Sequence, residues 1–269
     1  MRRPGHLACP TLLGYRAARR IAVALIAGAV STLWIGRYSD IDLLLADAVF
    51  DAASNTFPWR DAWLTETFGH VILKRVLTLA ALAFIGCAAV DAFRPLPRLC
   101  VLGRLRLRIV ASSAILVPAV ISLLKQLSSS HCPWDLSRYG GEQPYVRIFD
   151  ILPDGAIPGQ CLPAGHASSA LWLLSLAVYW LPAQARAARI AAFSGIAAGS
   201  FLGLLQQLRG AHFLTHSLWS IWIASATVVL VILVLQGRQA GAAVISPSAS
   251  AATQKRHRLD PETDISESN

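Results

Sequence analysis

Charge is what this sequence has least of. Asp, Glu, Lys and Arg together make up 14% of its 269 residues, against about a quarter in ordinary soluble domains. A water-soluble fold of this length would not have enough charge to cover its surface. The 55% hydrophobic content excludes a disordered or collagen-like chain, and the mean hydropathy is +0.51. Acidic residues are the scarcer sign, 15 against 24 Lys and Arg, for a formal charge of +9. That excess does not read as nucleic-acid binding, because the basic residues fall between apolar runs and do not gather with aromatics on one polar face. No C-x-x-C spacing is present, so the five cysteines do not suggest a zinc site. No internal repeat is evident. The solvent these observations imply is a bilayer.

What the chain does have is six apolar runs near the length needed to cross hydrocarbon, roughly 20 residues. They are Ile21–Gly36, Val71–Val90, Ile109–Leu127, Ala167–Leu181, Ile190–Leu208 and Ser217–Leu235. Long unbroken runs do not suit a barrel, whose strands alternate, and a spanning segment must satisfy its own backbone. The expected fold class is therefore all-α, a six-helix transmembrane bundle with periplasmic loops carrying the active site. The first and fourth runs are short and need extension at their ends or local thinning of the bilayer.

Arginine assigns the orientation. It clusters before the first run (Arg2, Arg3, Arg16, Arg19, Arg20), between the second and third (Arg94, Arg98, Arg104, Arg106, Arg108), between the fourth and fifth (Arg186, Arg189) and in the tail. The positive-inside rule then puts both termini in the cytoplasm of a bacterial inner membrane. The expected divisions are a cytoplasmic arm over residues 1–20, a membrane domain over 21–236, and a disordered tail over 237–269, rich in Ala, Ser and charge. A cleaved signal peptide is the alternative for the first run, but Trp34-Ile35 is a poor cleavage site. The first outer loop, residues 39–69, has apolar spacing that predicts a helix lying on the interface. Most of the tryptophans fall near run ends and read as an aromatic belt.

The polar residues that remain near the runs collect at one face. Lys125 closes the third run, and His131-Cys132-Pro133-Trp134-Asp135 follows it. Pro163-Ala164-Gly165-His166 opens the fourth, Arg209-Gly210-Ala211-His212 ends the fifth, and His216 opens the sixth. Ionisable groups this close to hydrocarbon are costly and point to function. Several imidazoles beside fixed cations suit phosphoryl chemistry: cations neutralise the oxygens, one imidazole attacks phosphorus, another protonates the leaving oxygen. His70 and Lys74-Arg75 begin the second run at the same face. They read either as interface anchors or as contacts to a second phosphate or a headgroup.

These residues resemble a family. Pro163-Ala164-Gly165-His166-Ala167-Ser168 is similar to the Pro-Ser-Gly-His signature of the type-2 phosphatidic acid phosphatase superfamily. That family has, upstream, a Lys, six residues, then Arg-Pro. From Lys125 the same spacing reaches Cys132-Pro133, so the Pro matches and the Arg does not. Its third motif is Ser-Arg, five residues, His, three residues, Asp, with Gly two before the His. Gly210-Ala211-His212 fits, while Gln206 stands at the Arg position and His216 at the Asp position. The resemblance runs from the third run to the sixth and implies a divergent branch.

By the resemblance His212 is the nucleophile, forming a phosphohistidine, and His166 gives a proton to the leaving group. Lys125 binds phosphate, helped by the Gly165 backbone at a helix start. Arg209, three residues past the motif position and so about one helical turn away, is expected to supply the missing guanidinium. A plain topology charge is the bland alternative. His216, in place of the orienting Asp, can accept an N–H bond from His212, and Asp135, Asp150 or Asp154 could restore the lost negative charge. The rival register makes His216 the nucleophile, with Arg209 seven residues before it.

Cys132 and Cys161 lie in one outer loop, where an oxidising compartment favours a disulfide; two buried thiols are the alternative. Cys9, Cys87 and Cys100 are expected to be reduced on the cytoplasmic side. The implied function is hydrolysis of a lipid phosphate or pyrophosphate by a membrane phosphoric monoester hydrolase, with no cofactor and no metal. Two alternatives stay open: phosphoryl transfer to another lipid, such as lipid A, and a non-catalytic lipid or anion transporter on the same scaffold.

Overall fold

The computed structural model describes residues 11–257, with side chains through 241. Cys9 and the last positions of the expected tail lie outside the described residues. The described chain is all-helical. Its α-helices are α1 (Tyr15–Tyr38), α2 (Ile41–Asp47), α3 (Lys74–Phe93), α4 (Val101–Gln126), α5 (Gly165–Leu171), α6 (Ala185–Leu208) and α7 (Leu214–His257). A π-helix over Leu64–Leu73 leads directly into α3, and a 3-10 helix over Trp172–Tyr179 continues α5.

Five of these helices are long and apolar enough to cross a membrane: Tyr15–Tyr38, Leu64–Phe93, Val101–Gln126, Ala185–Leu208 and Leu214–Gly241. The fourth apolar run differs from the expected single helix. It is one α-helical turn pair, Gly165–Leu171, followed by eight residues of 3-10 helix. At 1.5 Å and 2.0 Å of rise per residue the two segments together reach about 26 Å. The looser winding lets a short run extend further than an α-helix would. Its residues are also the most enclosed: Ala167, Ala170, Leu171 and Val178 are fully buried, so protein, not lipid, surrounds it.

Glycine spacing explains that enclosure. Gly195, Gly199 and Gly203 repeat every fourth residue and face one side of α6. A Cβ on Gly195 would lie 2.4 Å from the Leu174 backbone nitrogen, and one on Gly199 would lie 2.3 Å from Leu171 Cδ2. Small residues at this spacing let membrane helices touch backbone to backbone, where dispersion and not the hydrophobic effect drives packing. Gly195→Val is expected to overpack this seam and cost about 1–3 kcal/mol. Thermal unfolding in detergent checks it; a midpoint equal to wild type would contradict the close approach.

α4 runs through the centre, with Ile109, Val110, Val117 and Ile121 fully buried against α5, α7 and the 3-10 segment. α1 is peripheral. It leans on α7, where the Trp222 indole N–H donates to the Leu25 carbonyl at 2.7 Å. Val23, Ile26 and Val30 on α1, Leu79 and Leu82 on α3, and Ile190 and Phe193 on α6 are apolar and more than half exposed. So much exposed apolar surface is expected of a chain whose solvent is a bilayer.

Two buried polar contacts fix the ends of the bundle. At the arginine-rich end, Asp91 is buried and accepts from Arg104 Nε at 3.2 Å and from the Leu96 N–H at 2.9 Å. At the other end, α2 lies across the start of α7. Its buried Asp42 accepts the Thr215 N–H at 3.0 Å and also the Thr215 hydroxyl. A carboxylate there satisfies free N–H groups of α7 and faces the positive end of its dipole. Past position 236, where the membrane domain was expected to end and a disordered tail to begin, α7 continues to His257.

Candidate active site

The C-terminal ends of α4 and α6 and the N-terminal ends of α5 and α7 gather at one end of the bundle, where the π-helix packs on α6, and most of the ionisable residues singled out in the sequence lie there. The Pro163-Ala164-Gly165-His166 segment is clamped by the first turns of α7. The Ala164 N–H donates to the His216 carbonyl at 3.1 Å, and the Ser220 hydroxyl donates to the Ala164 carbonyl at 3.0 Å. Gly210 lets the chain turn from α6 toward α7. Its φ is +72°, and a Cβ there would lie 2.4 Å from the Phe57 ring. Both facts require glycine, which accounts for the Gly in the Gly-x-His pattern.

His166 and His212 face each other with ring centroids 6.1 Å apart, and His212 and His216 lie 5.7 Å apart. His212 and His216 are both buried. Their Nδ1 atoms are separated by 3.4 Å, and His216 Nε2 lies 3.4 Å from the Ser130 hydroxyl. Both nitrogens of His216 are thus engaged. His212 Nδ1 also lies 3.3 Å from Cys161 Sγ. Among the described residues, nothing hydrogen-bonds His212 Nε2.

A disulfide joins Cys132 to Cys161 and packs against His212. The two loop segments that carry it run alongside each other. The N–H groups of Gly159, Gln160 and Cys161 donate to the carbonyls of Ser129, Ser128 and Ser130. The Trp134 N–H then ties the loop to the Gly210 carbonyl at 3.0 Å. Cys132, Cys161 and His212 present three donor atoms within 4.8 Å of one another, but sulfurs already bonded to each other are not thiolate ligands.

Cations and a cleft adjoin His166. A cleft of about 460 Å³ is lined by Lys74, Thr78, Leu82 and Ile85 of α3, Pro118, Ser122 and Lys125 of α4, and Gly165, His166 and Trp172. Its upper part is basic and its lower part apolar. From Lys74 to Ile85 the helix advances about 16 Å. Pro118 has no N–H, so the Ala114 carbonyl in the same wall loses its helical partner.

Arg209 does not stand free. It is buried; Nε donates to the Arg60 carbonyl at 2.8 Å, and Nη1 contacts Gln206 Oε1 at 3.2 Å and His70 Nδ1 at 2.9 Å. Nη2 forms an ion pair with Glu66. His70 Nε2 in turn lies 3.1 Å from His166 Nε2. Glu66 and His70 both lie in the π-helix, outside every motif. Sequence reading passed over Glu66 and left His70 as an anchor or a headgroup contact. The only signal available was the acid-to-histidine spacing of four residues just before an apolar run.

Two of the three loop acids named as substitutes for the missing Asp do other work, and Asp154 makes no ion pair among the described residues. The Asp135 carboxylate accepts the Cys132 N–H at 3.3 Å, and burial pushes its pKa up. Asp150 pairs with Arg37. Among the described residues no carboxylate forms an ion pair with His166, His212 or His216. His131, buried, is held by the Ile157 carbonyl at 2.6 Å from Nε2, away from the three facing imidazoles.

Burial, then the neighbouring His216, His166 and Lys125, push the His212 pKa well below the usual 6.5. The ring is neutral at pH 7, as a nucleophile must be. Unfolded, the same side chain takes up a proton below about 6.5. Between those two values unfolding binds a proton, so stability falls as pH drops through 6.5 and is regained above it. The unfolding midpoint is expected to fall between pH 7.5 and 5.5, and His212→Asn to flatten that slope. An unchanged slope in the variant would contradict the buried neutral ring.

The fold and site thus define a class: a membrane-type helical bundle with three neighbouring histidines at one end and a cation-flanked cleft beside His166. The chain belongs to the PAP2 superfamily, whose family model matches residues 106–240. The matched span begins in α4 and ends in α7, so it contains Lys125, His166, Arg209, His212 and His216. Members of that superfamily are generally phosphatases. Comparison with curated proteins and with solved structures finds no match.

Proposed function

We propose that the protein is an integral-membrane lipid phosphatase, with both termini in the cytoplasm and its pocket on the periplasmic face of a bacterial inner membrane. The observation that carries this reading is the facing pair of imidazoles, centroids 6.1 Å apart. An attacking nitrogen needs phosphorus about 3 Å away, and an acid needs the leaving oxygen within about 3 Å. Two rings at this separation, one with an unengaged Nε2, suit a single phosphoryl group held between them.

In the proposed reaction His212 Nε2 attacks phosphorus and the bond to the leaving oxygen breaks. Protonated His166 gives that oxygen its proton. Water, losing a proton to the now neutral His166, then attacks the phosphohistidine and releases inorganic phosphate. Lys125 and Lys74 neutralise the phosphate oxygens, with the Gly165 backbone beside them and the Arg209 charge behind His70. His216 keeps His212 in register. The apolar stretch of the cleft below Lys74 and Lys125 supports a lipid substrate, with its acyl chain along Leu82 and Ile85 and its phosphate at the basic end.

Purified protein is expected to release phosphate from dioleoyl phosphatidic acid or a lipid pyrophosphate. His166→Ala is expected to lower that rate by about 10²–10⁴-fold. Phosphoryl exchange between lipids without release would move the assignment to a transferase. Neither release nor exchange from any lipid phosphate would overturn the enzymatic reading.

A further inference from the structure

His70 lies outside every motif and outside the matched family span, yet it touches His166. Its two nitrogens meet different partners. Nδ1 is 2.9 Å from Arg209 Nη1, and Nε2 is 3.1 Å from His166 Nε2. The rings stand edge to face, centroids 4.4 Å apart. A guanidinium has only donors and does not lose its proton in proteins. At 2.9 Å the Arg209 N–H therefore donates, and His70 Nδ1 accepts. A neutral His70 must then carry its hydrogen on Nε2. That hydrogen points at His166 Nε2, which must accept. A neutral His166 in turn carries its hydrogen on Nδ1. His166 Nδ1 is buried and has no hydrogen-bond partner. A buried donor left unpaired costs about 1–3 kcal/mol, so a site that keeps one is arranged for a group that arrives later.

We propose that His70, held by Arg209, fixes His166 as the Nδ1–H tautomer and so makes Nδ1 the nitrogen presented to the substrate's leaving oxygen. His70 is a positioning residue: it acts through His166. Glu66 completes the device. It pairs with Arg209 and lies 3.5 Å from His70 Nδ1. When the two rings take up one further proton, His70 Nδ1 gives up the bond from Arg209 and donates to Glu66, His70 Nε2 accepts from His166, and His166 Nδ1 keeps its hydrogen. The other charged or titratable groups facing the pair are Lys74 from α3, Lys125 from α4 and His212 from the turn before α7. Only the final clause, the meeting with a leaving oxygen, rests on the phosphatase reading.

The π-helix is what brings His70 into place. Over Leu64–Leu73 each turn holds an extra residue relative to an α-helix, and Glu66 and His70 both turn toward Arg209. π-helical stretches are rare and cluster at functional sites.

The direct test is the tautomer itself, read by nitrogen-15 NMR of histidine-labelled full-length protein in detergent at pH 8, with His166 assigned by its loss in His166→Ala. Wild type is expected to show His166 protonated at Nδ1. His70→Ala is expected to move that proton to Nε2, the form free imidazole side chains favour in water. His70→Gln, whose amide can donate to His166 and accept from Arg209, is expected to retain Nδ1–H. Wild-type His166 protonated at Nε2, or a tautomer unmoved in His70→Ala, would overturn the proposal; the wild-type spectrum decides even where a variant fails to fold.

A kinetic arm separates positioning from scaffold. His70→Ala is expected to lower kcat about 100-fold on phosphatidic acid, whose alkoxide needs a proton. The rate of the first p-nitrophenol burst from p-nitrophenyl phosphate, whose leaving group needs no proton, should fall at least tenfold less, because only the later attack of water uses His166 there. Equal losses in that burst and in turnover of phosphatidic acid would reduce His70 to a structural role. A wild type that shows the Nδ1–H form but cleaves neither substrate would sink the phosphatase reading and leave the tautomer assignment standing.

Discussion

His212→Ala is expected to lose phosphatase activity by at least about 10⁴-fold, the scale seen when a covalent nucleophile is removed. His216→Ala is expected to lose less, on the order of 10²-fold, as when a catalytic group is displaced by about an ångström but kept. The difference follows from which nitrogens are occupied. His216 is spent on both sides, against His212 Nδ1 and the Ser130 hydroxyl. His212 uses Nδ1 for His216 and Cys161 and leaves Nε2 for phosphorus. Steady-state rates on one lipid phosphate check the pair. Complete loss in His216→Ala with substantial activity in His212→Ala would install the rival register.

The second large effect belongs to the disulfide. Cys132 and Cys161 are 29 positions apart, and closing a loop of that length removes chain entropy worth about 3–4 kcal/mol from the unfolded state. The same bond holds Cys161 against His212: its Sγ is 3.3 Å from His212 Nδ1 and 3.2 Å from the Ala211 carbonyl. Replacing both cysteines by alanine is therefore expected to act twice. The unfolding free energy from denaturant titration should drop by the amount above, and kcat should fall about tenfold or more under conditions where the variant is still folded. A stability loss with unchanged kcat would confine the bond to holding the loop. The expected activity loss also predicts that a strong thiol reductant slows the wild type and leaves the double variant unaffected.

Much of the helical plan was legible because apolar run length is a direct consequence of bilayer thickness. The runs ending at Leu127 and Leu208 correspond to α4 and α6 within a few residues at their C-terminal ends. The run at 167–181 misled, since composition cannot tell α from 3-10 winding; the close approach allowed by Gly195 and Gly199 lies on another helix. The second run was placed seven residues late at its start, because Glu66, His70 and the polar residues around them dilute the apolar signal of Leu64–Leu73. The candidate site was legible as far as residues sit at run ends, where topology alone brings them to one face. Arg209 shows the limit. Its spacing from the motif position said it could reach the pocket. Its partners (Glu66, His70 and the Arg60 carbonyl) are some 140 positions away in sequence, and no local pattern encodes a contact made across three helices.

One experiment reaches the central claim that His166 and His212 work on the same phosphoryl group. An aryl phosphate needs no proton on its leaving group, so His166→Ala should still let His212 form the adduct, while water in the second half-reaction lacks its base. The expected result is a single burst of p-nitrophenol equal to the enzyme concentration, then a stall, with phosphate recovered on His212 as an acid-labile, base-stable adduct. Wild type should turn over without such accumulation. Continuous turnover by His166→Ala with no adduct, or phosphate recovered on His216, would contradict it.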